Sequence, residues 1–335
     1  MKRRNLRIAV LFLVIISLFS SILTGQPLSE TRQAEKLVIL ATTDIHGNVW
    51  GFSYEDDKET TNTGMARIAT YVQSVRDEEE FVILVDNGDV IQGNIMTDDL
   101  YNKREGEHPV MRAMNLLGYD AMTLGNHEFN FGEDLIKRIQ ILANFPVLAA
   151  NMARVDGTMA TLPYTIVTRG GVKVGIIGLT NPNAPRWDGE KTDPFVFSAV
   201  GPAARRAIDI IADKVDVIVV VSHVGIYPEY DEEGGSDGAN KILELCPEID
   251  VLIVGHDHNT IKEIRGNTVI GGTRNLAREV IRIDLALDGN KRVVDRAIAI
   301  VDMADYEPSD LIRGNAFIRR SPRGDEGLHP RRPGR

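Results

Sequence analysis

Runs of near-continuous Val, Ile and Leu alternate along this chain with helical stretches. The apolar runs are Leu37–Ala41, Phe81–Val85, Ala121–Thr123, Val147–Ala149, Val174–Leu179, Val217–Val221 and Val251–Val254. Such runs predict strands covered on both faces. Between them, Gly64–Arg76, Pro109–Leu117, Glu133–Leu142, Pro202–Ala212 and Ala239–Leu245 predict helices. Strands alternating with helices in this way give the α/β class and a sandwich in which helices cover the sheet faces. Turns at Arg169-Gly170-Gly171 and Asp288-Gly289-Asn290 read as hairpin connections, so part of the sheet is antiparallel. No internal repeat or low-complexity linker divides the body.

Composition narrows the function. The chain has 335 residues, 43% hydrophobic and 26% charged, which is ordinary for a globular protein with a large core. A net charge of -10 argues against nucleic acid as the partner, since a phosphate backbone attracts a basic surface. A small anionic substrate stays possible if metal ions dominate the local field. Lys2, Arg3, Arg4 and Arg7 precede an apolar run from Ile8 to Leu23, shorter than the roughly 20 residues of a membrane span. Residues 1–25 are therefore read as a signal peptide, with cutting near Gly25 and export to the periplasm, cell wall or extracellular space. The other reading is an uncleaved anchor, the one way the chain would contact a membrane. Cys246 is alone, which excludes an intramolecular disulfide and a lipid-modified N-terminal cysteine, and its apolar helical setting makes it core filler.

The chemistry sits in five islands, each just after a predicted strand. They are Asp44-Ile45-His46-Gly47-Asn48, Gly88-Asp89, Gly125-Asn126-His127-Glu128, Ser222-His223 and Gly255-His256-Asp257-His258. Loops at the carboxyl ends of strands converge on one crevice in open α/β sheets. Any one of these residues could be a turn aspartate or a satisfied buried histidine. Five islands at equivalent strand ends are another matter: they supply Asp44, Asp89, Asn126 and five histidines, nearly the full ligand shell of a two-metal hydrolase. Borderline cations such as zinc, manganese and iron accept imidazole and carboxylate together. Two such ions, roughly 3.5–4 Å apart, polarise a phosphoryl group and lower the pKa of a shared water that attacks phosphorus. His127, beside Asn126, has the right type and place to protonate the departing oxygen. His108 and His329 lie outside the islands and read as surface residues.

The order Asp-x-His, Gly-Asp, Gly-Asn-His-Glu, His, Gly-His-x-His resembles the calcineurin-like metallophosphoesterases, over a body running from about Lys36 to about Tyr306. The resemblance implies an α/β fold of the four-layer α/β/β/α sandwich type, with mixed sheets and a dinuclear metal site at the strand carboxyl ends. It places Asp44, His46, Asp89 and His258 on one metal, and Asp89, Asn126, His223 and His256 on the other, with Asp89 bridging. His127 would stabilise the transition state or act as acid. The cofactors would be two divalent ions, with manganese, zinc or iron ahead of magnesium, cobalt or calcium. Longer blocks, Ala41–Asn48, Asp86–Asn94 and Gly125–Gly132, resemble exported bacterial nucleotidases, most of all the 2',3'-cyclic-nucleotide 2'-phosphodiesterase/3'-nucleotidase type. The 5'-nucleotidase type carries an aspartate where this chain has Asn130. An aspartate stabilises an imidazolium at His127, whereas an amide only orients the ring. The expected activity is hydrolysis of 2',3'-cyclic nucleotides and 3'-nucleotides, the alternatives being a 5'-nucleotidase or nucleotide-sugar hydrolase, or a weakly active metal-binding remnant. The expected partner is a nucleotide, and the expected state a monomer.

One departure affects affinity. Relatives usually continue into a second domain that stacks the base between aromatic rings, whereas this chain ends soon after Tyr306. From Arg313 to Arg335 there are seven arginines, no lysine and frequent Gly and Pro, so residues 313–335 read as a disordered tail. That tail fits a truncated or frameshifted product; the alternative is a basic segment for anionic wall polymer or membrane. Base stacking contributes about 1–3 kcal/mol per base, so its loss predicts poor selectivity and a high KM. The acidic stretch Tyr54–Asn62 reads as a surface loop, and Arg274 as a surface arginine before a phosphate contact.

Overall fold

Two six-stranded sheets face each other in the computed structural model, which describes residues 35–230 and 237–315. The expected signal segment 1–25, His329 and all but the first residues of the 313–335 tail lie outside these; a helix Asp310–Asn315 covers the tail's beginning. Among the described residues no helix is long and apolar enough to cross a membrane.

The first sheet contains β1 (Glu35–Thr42), β4 (Val82–Asp86), β5 (Ala121–Thr123), β6 (Val147–Leu148), β15 (Glu279–Leu287) and β16 (Val293–Asp302). Its order is β16-β15-β1-β4-β5-β6: β1, β4, β5 and β6 are parallel, and β15 and β16 are added antiparallel beside β1. The second contains β8 (Tyr164–Arg169), β9 (Val172–Leu179), β11 (Val217–Ser222), β12 (Val251–Val254), β13 (Ile261–Arg265) and β14 (Thr268–Gly272), ordered β13-β14-β12-β11-β9-β8. Here β9, β11, β12 and β14 are parallel and the two edges antiparallel. Both expected hairpins are present, β8 to β9 and β15 to β16. The short pairs β2 (Phe52–Ser53) with β3 (Lys58–Glu59), and β7 (Met152–Arg154) with β10 (Phe195–Phe197), lie apart from the main sheets. The first of these makes the acidic stretch a largely exposed hairpin.

Alternation along each strand decides the layering. On β1, Leu37, Ile39 and Ala41 point between the sheets, where they meet Val174 and Ile176 of β9 and Val217, Val219 and Val221 of β11. Val38 and Leu40 point the other way, onto the helices Met65–Glu78, Pro109–Leu117 and Glu133–Leu142. Ile218 and Val220 of β11 likewise pack on the helices Val200–Ile211 and Ala239–Leu245. Period-2 strands buried on both faces thus yield helix, sheet, sheet, helix, the expected four-layer sandwich. Cys246 is buried in the last of these clusters.

One expectation fails. His108 is buried, not on the surface: its ring lies 2.9 Å from Asn102 Oδ1 and against Tyr101.

Candidate metal centre

Five of the seven expected ligands adopt the left-handed backbone conformation: Asp44 (φ 54°), His46 (49°), Asp89 (57°), His256 (70°) and His258 (54°). Non-glycine residues seldom sit there, though Asp, Asn and His do so more readily than most. The conformation turns each chain sharply after its strand and throws the side chain back over the strand ends. Neighbouring loops hold these turns in place. Asp44 N–H donates to Gly88 O (3.0 Å), His46 N–H to Asp89 O (2.9 Å) and Gly47 N–H to Val90 O (2.8 Å). Glu128, fully buried, accepts from the N–H groups of Asp89 (2.8 Å), Val90 (2.8 Å) and Gly125 (2.6 Å). The approach is too close for a side chain: a Cβ on Gly88 would stand 2.3 Å from Gly125 N, and one on Gly125 2.1 Å from Asp89 Oδ1.

The expected ligands come together from both sheets. Asp44, His46 and His258 form one group and Asp89, His223 and His256 another, with ligand atoms within 4.8 Å of one another in each. Asp44 Oδ1 is 3.2 Å from His258 Nε2, 3.8 Å from His223 Nε2 and 3.9 Å from His46 Nε2, which ties the two groups together. His223 Nε2 stands 3.0 Å from Asp89 Oδ2, and His127 Nε2 4.0 Å from the same oxygen. Asn126 is buried beside them, between Gly125 and His127.

Ring partners fix which nitrogen is offered. His223 Nδ1 lies 2.5 Å from Asn87 O and His46 Nδ1 3.0 Å from Gln92 O, so both rings donate at Nδ1 and turn Nε2 inward. In His256 the arrangement is reversed, since Nε2 is 2.9 Å from Glu229 Oε2 and Nδ1 is left free. Carbonyl or carboxylate partners of this kind set ligand tautomers in metal sites. Asn87 also donates through Nδ2 to Ser222 O (3.1 Å), tying the two sheets together at the centre.

The electrostatics call for a cation. Burial pushes the carboxyls of Asp89 and Asp44 up, but the surrounding imidazoles, His223 foremost, together hold both below their usual range. Burial presses on His223 in the opposite sense, and the two carboxylates override that, lifting it to about 10. Burial lowers His46. The contact with Asp44 raises His258. A proton on His223 therefore supplies positive charge between two sealed carboxylates. Asn126 Oδ1 is buried here without a hydrogen bond, and Asp44 Oδ1 and His223 Nε2 meet only ion-pair partners, His258 Nε2 at 3.2 Å and Asp89 Oδ2 at 3.0 Å respectively. Buried polar atoms without partners are costly, and oxygen and imidazole donors converging on one point suit divalent metals of the borderline class. The residues present fit two such ions, and an ion entering at His223 displaces its proton.

Some participants carried no role in the sequence. Glu128 lies within the third island, but its role emerges only from the three backbone donors it accepts. Asn87 adjoins the second island, where no role was assigned to it, while Glu229 and Asp188 arrive by tertiary approach, with no local pattern to mark them. Arg274 pairs with Glu279 (2.7 Å) and Asp302 (3.2 Å) and is a surface arginine.

Comparison with known proteins gives the following. Residues 37–260 match the family model described as calcineurin-like phosphoesterase. The chain is 35% identical over 265 residues to the trifunctional nucleotide phosphoesterase protein YfkN of Bacillus subtilis, covering 72% of this chain and 18% of that protein. It is 30% identical over 259 residues to the 2',3'-cyclic-nucleotide 2'-phosphodiesterase/3'-nucleotidase of Salmonella typhimurium, covering 71% of this chain and 40% of that protein. It is 35% identical over 243 residues to the 5'-nucleotidase of Rattus norvegicus, covering 69% of this chain and 39% of that protein. The crystal structure of the calcineurin-like phosphoesterase YfkN superposes with a TM-score of 0.75 at 30% identity, covering 84% of this chain and 95% of that one. The chain spans less than half the length of the curated relatives it matches.

Proposed function

The chain belongs to the calcineurin-like phosphoesterase family, hydrolases of phosphoric ester bonds, and from that premise we propose that it hydrolyses 2',3'-cyclic nucleotides and 3'-nucleotides outside the cytoplasm. In this reading Asp44, His46, Asp89 and His258 hold one divalent ion, and Asp89, Asn126, His223 and His256 hold the other. Two divalent ions bound there would polarise the phosphoryl oxygens and activate a water for in-line displacement.

The chain's own groups do the rest. Glu128 and the backbone ladder keep the ligand loops in register, so the carboxylates need no rearrangement when charge develops. Asn87 and Gln92 hold the His223 and His46 rings by their outer nitrogens. His127 lies at the open side of the centre with its side chain 34% exposed, where its Nε2 can reach the oxygen of a departing alcohol and protonate it. The observation that carries the reading is the convergence of two ligand groups on Asp44 Oδ1 and Asp89 Oδ2, with His127 alongside.

The substrate assignment is supported by the relatives named for the cyclic and 3' activities and by the amide at Asn130. A 5'-nucleotidase reading has its own support in relatives of that name at 35% identity. The test compares turnover of 2',3'-cyclic AMP, 3'-AMP and 5'-AMP by the purified chain with added manganese or zinc. We expect the cyclic and 3' substrates to be preferred, and Asp89→Asn to lose roughly 1,000-fold or more in turnover. Preference for 5'-AMP moves the chain to the second reading. No turnover of any ester by folded protein holding two metals overturns both.

A further inference from the structure

His127 is held from behind by a chain of two side chains. Its Nδ1 lies 2.7 Å from Asn130 Oδ1, and Asn130 Nδ2 donates to Asp188 Oδ1 at 2.9 Å. Asp188 ends the short helix Ala184–Asp188, 58 residues along the chain from Asn130, and its side chain is only 3% exposed. Lys191 Nζ is 3.6 Å from the same Oδ1, while Asp188 Oδ2 is buried and makes no hydrogen bond. A carboxylate placed so deep, with one oxygen unmatched, is destabilising by itself.

We propose that Asp188 is a positioning residue for His127, acting through Asn130. A carboxylate can only accept, so it must face the amide nitrogen of Asn130; the amide oxygen is then turned to His127 and can only accept in its turn. His127 must therefore carry its proton on Nδ1, and Nε2 is the end left to exchange a proton with substrate. The amide would otherwise be free to present either end, and the ring either tautomer. Asp188 removes that freedom and polarises the amide towards the ring. A direct carboxylate partner for His127 is replaced here by an amide with a buried carboxylate behind it.

This rests on His127 acting on the substrate as read above, so the experiment has one arm that needs no turnover. In metal-free protein with 15N-labelled histidine, the ring shifts of His127 under mildly alkaline conditions report its tautomer. We expect the Nδ1–H form in the parent chain and a mixture in Asp188→Ala. In turnover, Asp188→Ala should lower kcat about 10-fold or more with KM little changed. Asp188→Asn, which keeps an acceptor, should lose less. The decisive pair exchanges the groups. Asn130→Asp alone sets two carboxylates face to face and should lower kcat. Asn130→Asp with Asp188→Asn restores a donor facing an acceptor and should recover kcat to within a few-fold of the parent. An unchanged His127 tautomer in Asp188→Ala overturns the proposal. So does an exchanged pair that recovers melting temperature but not kcat, which would make the contact merely structural. A parent chain with no phosphoesterase turnover would instead defeat the reading of the function, and the tautomer would still decide the role of Asp188.

Discussion

Between the sheets, Ile39, Val85, Val174, Val219 and Ile283 are fully buried in regular ladders. A few residues further along the same strands, Asp44, Asp89 and His223 are buried just as completely, yet the first two have left-handed backbones and Asn126 Oδ1 beside them makes no hydrogen bond. Burial is equal in the two regions while its chemistry is opposite. The intersheet layer gains about 25 cal/mol for each Å² of apolar surface removed from water. The rim sets polar atoms in the same depth without partners and bends the backbone at about 1–3 kcal/mol per strained residue. Such strain persists only where the surroundings over-determine it, and the layer below provides that support.

The comparison can be broken by substitution. Asp89→Asn should give the largest effect of all on turnover with only a modest fall in the melting temperature of metal-free protein, because the ionised carboxylate is the favoured form beside His223. A large drop in melting temperature would show that the rim stabilises the fold. Ile39→Ala should do the reverse, destabilising by about 2–5 kcal/mol in denaturant titration with turnover per folded molecule intact. Glu128→Gln is the intermediate case. The amide keeps one accepting oxygen but turns its NH2 towards at least one of the three backbone donors, which should destabilise by about 1–3 kcal/mol and weaken metal binding about 10–100-fold, read by melting and by metal titration. If neither changes, the backbone ladder alone holds the loops.

The smallest effect at neutral pH concerns a buried polar group away from the rim. Burial, assisted by Arg138, lowers His108 to about 3 from an ordinary 6.5. The unfolded chain takes up this proton first, so the stability from the neutral ring is full above pH 6.5 and is lost as pH falls from 6.5 towards 3. The loss is at most about 1.4 kcal/mol per pH unit. His108→Gln, which can still donate to Asn102, should flatten that part of the stability curve, measured by denaturant unfolding across the range.

What the sequence disclosed and what it hid divide along the same line. The ligands were legible because each lies within a few residues of a strand end, in types that two-metal chemistry requires. The buried strands β1, β4, β9, β11 and β12 were legible because both faces are apolar, whereas the equally buried β14 was missed. β13 and β16 were not picked out as apolar runs, since Lys262, Glu263 and Arg265 and then Asp295 and Arg296 interrupt the apolar pattern of edge strands that stay partly or wholly exposed. His108 misled because Arg104, Glu105 and Glu107 beside it suggest a surface loop. Asp188 gave no sign at all, because its meaning comes from contact with Asn130 across a distance in sequence that no local pattern spans.

The two ligand groups also differ in depth, for His223 is sealed whereas the His258 side chain is 39% exposed. An ion seated at Asp89 and His223 would exchange slowly, and one seated at Asp44, His46 and His258 quickly. Dialysis against a chelator would then empty the centre in two kinetic phases. A preparation halted between them would hold about one equivalent of metal. It would look fully folded, and it would regain activity on adding a second, different cation. Mixed-metal centres, loaded one side at a time, would follow from that inequality of access.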